Sequence, residues 1–155
     1  MNQIFYADSS VLVKRHASEI GSVWFQNLVS LASNNSIITA KLSVVEVLSA
    51  FNRRRREAAI SQVDYNDFAK DFSTISNNEY HLLDLNDSII AESQRLLETY
   101  SLRAGDAVQL ATAIYSRNML QNSQLSAPIF LASDNKLLDA AIAENFTTDN
   151  PNLHP

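Results

Sequence analysis

The stretch Ile4-Phe-Tyr-Ala-Asp-Ser-Ser-Val-Leu-Val-Lys-Arg-His16 decides the fold class. Its first four residues, Ile4–Ala7, are apolar or aromatic and lack a helical period, which reads as a buried strand. Asp8, Ser9 and Ser10 then supply helix-capping side chains, and Val11, Leu12 and Val13 open a helical pattern. A buried strand running directly into a helix is the first half of a βαβ unit, so the question becomes whether the alternation continues.

It does. Residues 10–34 read as two helices separated near Gly21, with Val23, Trp24, Leu28 and Leu31 at spacings that share a helix face. Ser36–Ala40 (SIITA) is short and β-branched, the second strand, and leads into a helical segment over 42–59. Ser61 with Asp64 forms a capping-box pattern opening a helix that ends near 77–78. Residues 80–85 are a third strand, and Asn86 caps a helix over 87–100. An Ala-rich helix over 107–120 follows Gly105, then a polar loop over 121–126, a strand over 129–132 and a helix over 135–144. This order predicts a three-layer α/β/α sandwich with a central, mainly parallel sheet buried by helices on both faces. Residues 1–150 are read as one domain, and 151–155 as a C-terminal tail within a surface extension from 147 onward. Trp24 with Leu28, and Phe68 with Phe72, read as core or dimer-interface pairs.

Composition narrows the chemistry. The chain has 155 residues, the size of one compact domain, and is modestly acidic with a net charge of -5. It has no cysteine, which excludes a disulfide framework, a thiolate zinc site and a cysteine nucleophile. With only two glycines, neither a GxGxxG nor a GxxxxGK[ST] phosphate loop can be written. The three histidines are far apart and none lies in HExxH. Residues 1–10 do not read as a signal peptide, and charges interrupt every apolar run well short of the roughly 20 residues of a membrane span. A cytoplasmic protein without membrane insertion is the expectation, its catalysis resting on carboxylates.

Ligands of parallel α/β sheets bind at the carboxyl ends of the strands. Asp8 ends the first strand and Asp134 follows the last strong one in FLASD. Glu46 lies in the helix after the second strand among Val44, Val45, Val47 and Leu48, and Asp106 lies in the first turn of the Ala-rich helix. Asp8, Asp106 and Asp134 each also have an ordinary reading as helix caps or first-turn acids. Gathered together, four carboxylates would repel one another, and a hard divalent cation, Mg²⁺ or Mn²⁺, is the simplest reason for such a cluster. Such a cation suits phosphodiester hydrolysis, whether one metal binds or two.

The strings FYADSSVLVKRH, SVVEVLSAF, LRAGDAVQLATA and FLASDNKLLDAAIAENF, in this order, resemble the motifs of the PIN-domain family, especially its VapC-type toxins of toxin-antitoxin pairs. The resemblance spans nearly the whole chain. It implies metal ligands and catalytic acids at Asp8, Glu46, Asp106 and Asp134, and a Mg²⁺- or Mn²⁺-dependent endoribonuclease. It also implies an RNA substrate, a homodimer and a cognate antitoxin that holds the enzyme inactive. Members of the family often carry Ser or Thr two residues before the fourth acid, where this chain has Ala132. Ser9, Ser10 or Ser133 is therefore the expected source of hydroxyl support for the site.

Two basic clusters flank the proposed ligands, Lys14 with Arg15 and the run Arg53, Arg54, Arg55 and Arg56. They read as contacts to RNA or antitoxin, or as a solvated helix end. Setting the four ligands aside leaves 13 acids against 12 bases, which softens the objection that an acidic protein should not bind RNA. The alternative is a PIN-like scaffold, catalytically weak or inactive, that binds RNA or a protein partner. Phosphoacceptor chemistry at Asp8 is weaker still, because Ser10 stands where an Asp-x-Asp pair needs its second acid.

Overall fold

Successive residues of a strand point to opposite faces, and that alternation divides the core in two. The computed structural model describes residues 2–155. In it, β1 (Ile4–Ala7) sends Phe5 and Ala7 to one face and Tyr6 to the other; β2 (Ser36–Ala40) does likewise with Ile37 and Ile38. The first face is covered by α1 (Ser9–Val13), α2 (Ser22–Leu28), α3 (Leu42–Arg56) and α4 (Gln62–Glu79), which supply Leu12, Phe25, Val47, Phe51 and Phe72. The second is covered by α5 (Asp87–Thr99), α6 (Ala104–Asn122) and α7 (Asn135–Ala143), with Ile89, Leu96, Leu110 and Leu137. Side-chain caps start several of these helices as the sequence implies: Asp8, Asn86 and Asp134 each accept a backbone N–H, and Ser61 with Asp64 completes a capping box.

With β3 (Tyr80–Leu83), β4 (Ile129–Leu131) and β5 (Thr148–Asp149) the sheet has the order β3-β2-β1-β4-β5, and all its pairings are parallel. The expected α/β/α sandwich is the fold observed. Strand order reverses at β1, whose neighbours are β2 on one side and β4 on the other. Ala7 pairs with Leu131, so the residues that follow β1 and β4 emerge side by side at the carboxyl rim. Among the described residues no helix is long and apolar enough to cross a membrane.

The end of the chain departs from the expected surface extension. Thr148 and Asp149 form the edge strand β5, and Asn150 and Pro151 are buried. The reason is polar docking that no hydrophobic pattern announces. Asn152 Oδ1 accepts from Lys14 Nζ at 2.8 Å, and the His154 ring stacks on Trp24 with centroids 4.3 Å apart. Trp24 therefore packs on the C-terminal segment, while Phe72 lies in the core with Phe68 against it. At the other end of this contact, Gly21 adopts φ 83°, and a Cβ there would stand 2.3 Å from the Pro151 carbonyl oxygen. Gly21→Ala is expected to lose at least about 1 kcal/mol from the left-handed backbone alone. That corresponds to roughly 2–4 °C in Tm for a domain of this size; an unchanged thermal unfolding midpoint would contradict this packing.

Candidate functional site

The parallel register sets the first and fourth acids together. The Asp8 N–H donates to the Leu131 carbonyl at 3.1 Å, extending the β1–β4 ladder by one residue, while Asp134 follows the same strand three residues later. Asp8 is 5% exposed, and its Oδ1 accepts from Ser10 Oγ at 2.6 Å and from the Val11 N–H at 3.2 Å. Asp134 Oδ1 accepts from the Leu137 N–H at 3.0 Å. Glu46, in the second turn of α3, is half-buried with Oε1 accepting from Gln109 Nε2 at 2.6 Å. Asp106 is the third residue of α6 and lies 3.6 Å from Arg103 Nε. All four line one open pocket of about 440 Å³, together with Ser9, Ser10, Arg53 and Arg103.

Three of these acids share one electrostatic condition. Burial raises the Asp8 carboxyl to about 7, with the Asp106 and Glu46 charges adding to the rise and the Ser10 and Val11 hydrogen bonds opposing it. Burial, then the charge of Asp106, raises Glu46 against the Gln109 hydrogen bond. Burial and the charge of Asp134 raise Asp106 against Arg103. The carboxylates are thus close enough to repel, yet each is drawn toward a donor of its own.

Three observations bear on whether the pocket suits a divalent cation. The donors are all hard oxygens, the ligand type of Mg²⁺ and Mn²⁺. Gly105 lets the Glu46 carboxylate lie close to the start of α6, since a Cβ there would be 3.0 Å from Glu46 Oε2. Ser133 Oγ, an expected source of hydroxyl support, is buried with no hydrogen-bond partner but does not line the pocket. The donor chemistry fits. The placement is looser: among the described residues no group of three or more His, Asp or Glu side chains stands where it could hold a metal ion.

The serines and cations expected around the site divide sharply. Ser10 links two acid-bearing segments, donating to Asp8 and accepting the Ser133 N–H at 3.3 Å. Ser9 lines the pocket, and Ala132, where the resemblance leads one to expect a hydroxyl, is fully buried. Lys14 is not a surface cation: it is 3% exposed, with Nζ bonded to Glu19, the Ile20 carbonyl and Asn152. Arg15 pairs with Glu79, Arg54 with Glu19, and Arg55 bonds Asn52 and Gln62 while lying over the Tyr65 ring. Arg56 is exposed and does not line the pocket. Arg53 is the member of the run that reaches it.

Sequence reasoning passed over Gln109, which is buried one turn after Asp106 and touches Glu46 directly. The available signal was a lone amide on the buried face of an Ala-rich helix. Tyr6, Thr39 and Ser43 join the same buried polar group.

A parallel α/β sandwich with an acidic pocket at the carboxyl rim of its sheet defines a structural class. The chain belongs to the PIN-domain family, whose model matches residues 5–142. No curated protein matches the sequence. Solved structures share the fold at low identity. VapBC2 from Rickettsia felis bound to a promoter DNA fragment matches at 12% identity and TM-score 0.61, covering 96% of this chain and 98% of that one. A toxin-antitoxin complex from Klebsiella pneumoniae matches at 17% and 0.56, covering 95% and 97%. FitAcB from Neisseria gonorrhoeae matches at 13% and 0.61, covering 96% and 98%.

The raised Asp8 carboxyl has a consequence for stability. Because the folded state binds that proton more tightly than the unfolded chain, the associated stability is complete below the ordinary value of 3.8 and is lost as pH rises to about 7. Asn keeps the cap and cannot ionise. Asp8→Asn is therefore expected to raise the Tm of the chelated protein by several degrees at pH 8 and to change it little at pH 4. A destabilised variant at pH 8 would show that the charge is compensated in the fold.

Proposed function

We propose that this chain is a metal-dependent endoribonuclease, the toxin of a toxin-antitoxin pair, with Asp8, Glu46, Asp106 and Asp134 as the residues that hold Mg²⁺ or Mn²⁺. The observation that carries the reading is the meeting of four acids, from four separate segments, in one pocket at the rim of the sheet. When bound, the cation supplies Lewis acidity toward water and the phosphodiester. The residues of the chain do the rest. Asp8, held by Ser10 and the start of α1, presents a carboxylate whose burial disfavours charge and so favours a counter-ion. Arg53 and Arg103, which both line the pocket, would receive phosphate oxygens and keep the backbone of an RNA strand over the acids. The similar structure named as a toxin-antitoxin complex supports a protein partner, here a cognate antitoxin. Homodimerisation and a cytoplasmic location belong to the same reading.

One observation favours a second reading. Since among the described residues no three acids are placed to hold a metal ion, the family fold and the toxin-antitoxin likeness support a weak or inactive PIN scaffold that binds RNA or a protein partner better than they support a metal-dependent enzyme. That reading asks for less, because it needs no closure of the acids on a cation.

Incubation with total small RNA in Mg²⁺, in Mn²⁺ and in chelator, with Asp106→Asn alongside, separates the two. The nuclease reading expects metal-dependent new RNA ends that fall at least about 100-fold in the variant, an effect of about 2.7 kcal/mol on the barrier. A folded, antitoxin-free protein that binds RNA without cutting it establishes the scaffold. RNA affinity in an Asp106→Asn background tests the wall of the pocket: Arg53→Ala is expected to weaken binding and reduce the slope of log K against log salt by about one. Arg54→Ala, which breaks a pair with Glu19, is expected to lower Tm and leave that slope alone.

A further inference from the structure

Behind the acidic pocket four buried hydrogen bonds and one part-buried one, to Glu46, form a chain whose direction is determined throughout. Tyr6 OH lies 2.7 Å from Gln109 Oε1, and Gln109 Nε2 lies 2.6 Å from Glu46 Oε1 and 2.9 Å from Ser43 Oγ. Ser43 Oγ lies 2.7 Å from Thr39 Oγ1, which lies 2.7 Å from the Ala7 carbonyl oxygen. An ionised carboxylate only accepts, so the amide must turn its nitrogen toward Glu46, and its oxygen then faces Tyr6, which donates. The second amide hydrogen goes to Ser43. Thr39 has a single hydroxyl hydrogen, and the Ala7 carbonyl, which only accepts, takes it. Ser43 must therefore donate to Thr39. The chain of donors ends on the residue immediately before Asp8.

The consequence lies at Glu46. Its Oε1 accepts from Gln109, while Oε2 lies against Gly105, 3.0 Å from where a Cβ would stand. We infer that Gln109 is the positioning residue for the Glu46 carboxylate: it holds Oε1 inward and, with Gly105 giving Oε2 room, fixes the orientation in which Glu46 meets a cation. This inference rests on the metal-dependent reading of the pocket. Gln suits the place because the position demands two donors and one acceptor in one plane at the end of a flexible stem. Gln109 is also three residues after Asp106, so one helix face carries a ligand and the support of another.

Mn²⁺ binding by titration calorimetry, paired with Tm in chelator, tests this without reference to cleavage. Gln109→Met keeps the volume and removes the donors; its Mn²⁺ Kd is expected to weaken 10- to 100-fold, the usual effect of losing an outer hydrogen bond to a metal ligand. In a Glu46→Gln background the same change is expected to have no further effect on Kd, because Gln109 acts through Glu46. Gly105→Ala guards against a mere loss of structure. Alanine favours the helix, so Tm in chelator should hold or rise while the Mn²⁺ Kd weakens several-fold as the new methyl crowds Oε2. Native-like Mn²⁺ affinity in either variant, or an undiminished Gln109→Met effect in the Glu46→Gln background, overturns the positioning role alone. Absence of Mn²⁺ binding by the native chain overturns the metal-dependent reading, and the positioning role with it.

Discussion

Like charges can be gathered at one place in a protein only if something holds each of them, and the rim of this sheet is organised around that constraint. Asp8 is held by Ser10 and the start of α1, Glu46 by Gln109, Asp106 beside Arg103 and Asp134 by the start of α7. The capping role of Asp8 and Asp134 is therefore not a rival to a functional role. A hydrogen bond to an ionised group contributes about 1.5–3 kcal/mol, and without such bonds a carboxylate as deeply placed as Asp8 would not persist there. Yet the compensation is incomplete, since Asp8 still stands at about 7. The remaining imbalance is what a cation, or a partner's positive side chain, would neutralise.

The fold was readable because two periodicities alternate along the chain. SIITA reads as a short buried strand from its length and β-branched residues, and two later helices carry caps in the sequence itself: Ser61 with Asp64 at α4, and Asn86 before α5. Parallel order then follows from alternation, and the carboxyl rim follows from parallel order. That is how four acids separated by as many as 126 residues could be expected at one edge before their geometry was known.

What was not readable depends on pairwise polar contacts across long separations. β5 is two residues long and rests on Lys14 meeting Asn152 across 138 positions. Its composition, polar with two prolines nearby, is that of a loop. Gln109 could be noticed as an amide in an apolar helix, but its partners Tyr6, Ser43 and Glu46 come from β1 and α3. Only the packing of α6 against the sheet brings them together. The start of α6 at Ala104 has the same origin: placing Gly105 within the helix makes sense once Glu46 is seen to fill the space in front of it.

The arginine run shows why composition misleads about charge. Four consecutive residues on a helix point in four directions, about 100° apart, so Arg53, Arg54, Arg55 and Arg56 cannot form one patch. Arg54 turns to Glu19 and ties α3 to the segment that Lys14 also anchors; Arg55 turns to α4, where it lies over Tyr65. Arg53, seven residues after Glu46, returns to the same face two turns along, about 10 Å up the axis. It is that spacing, and not the density of positive charge, which sets a guanidinium at the edge of the acidic pocket while its neighbours serve the fold.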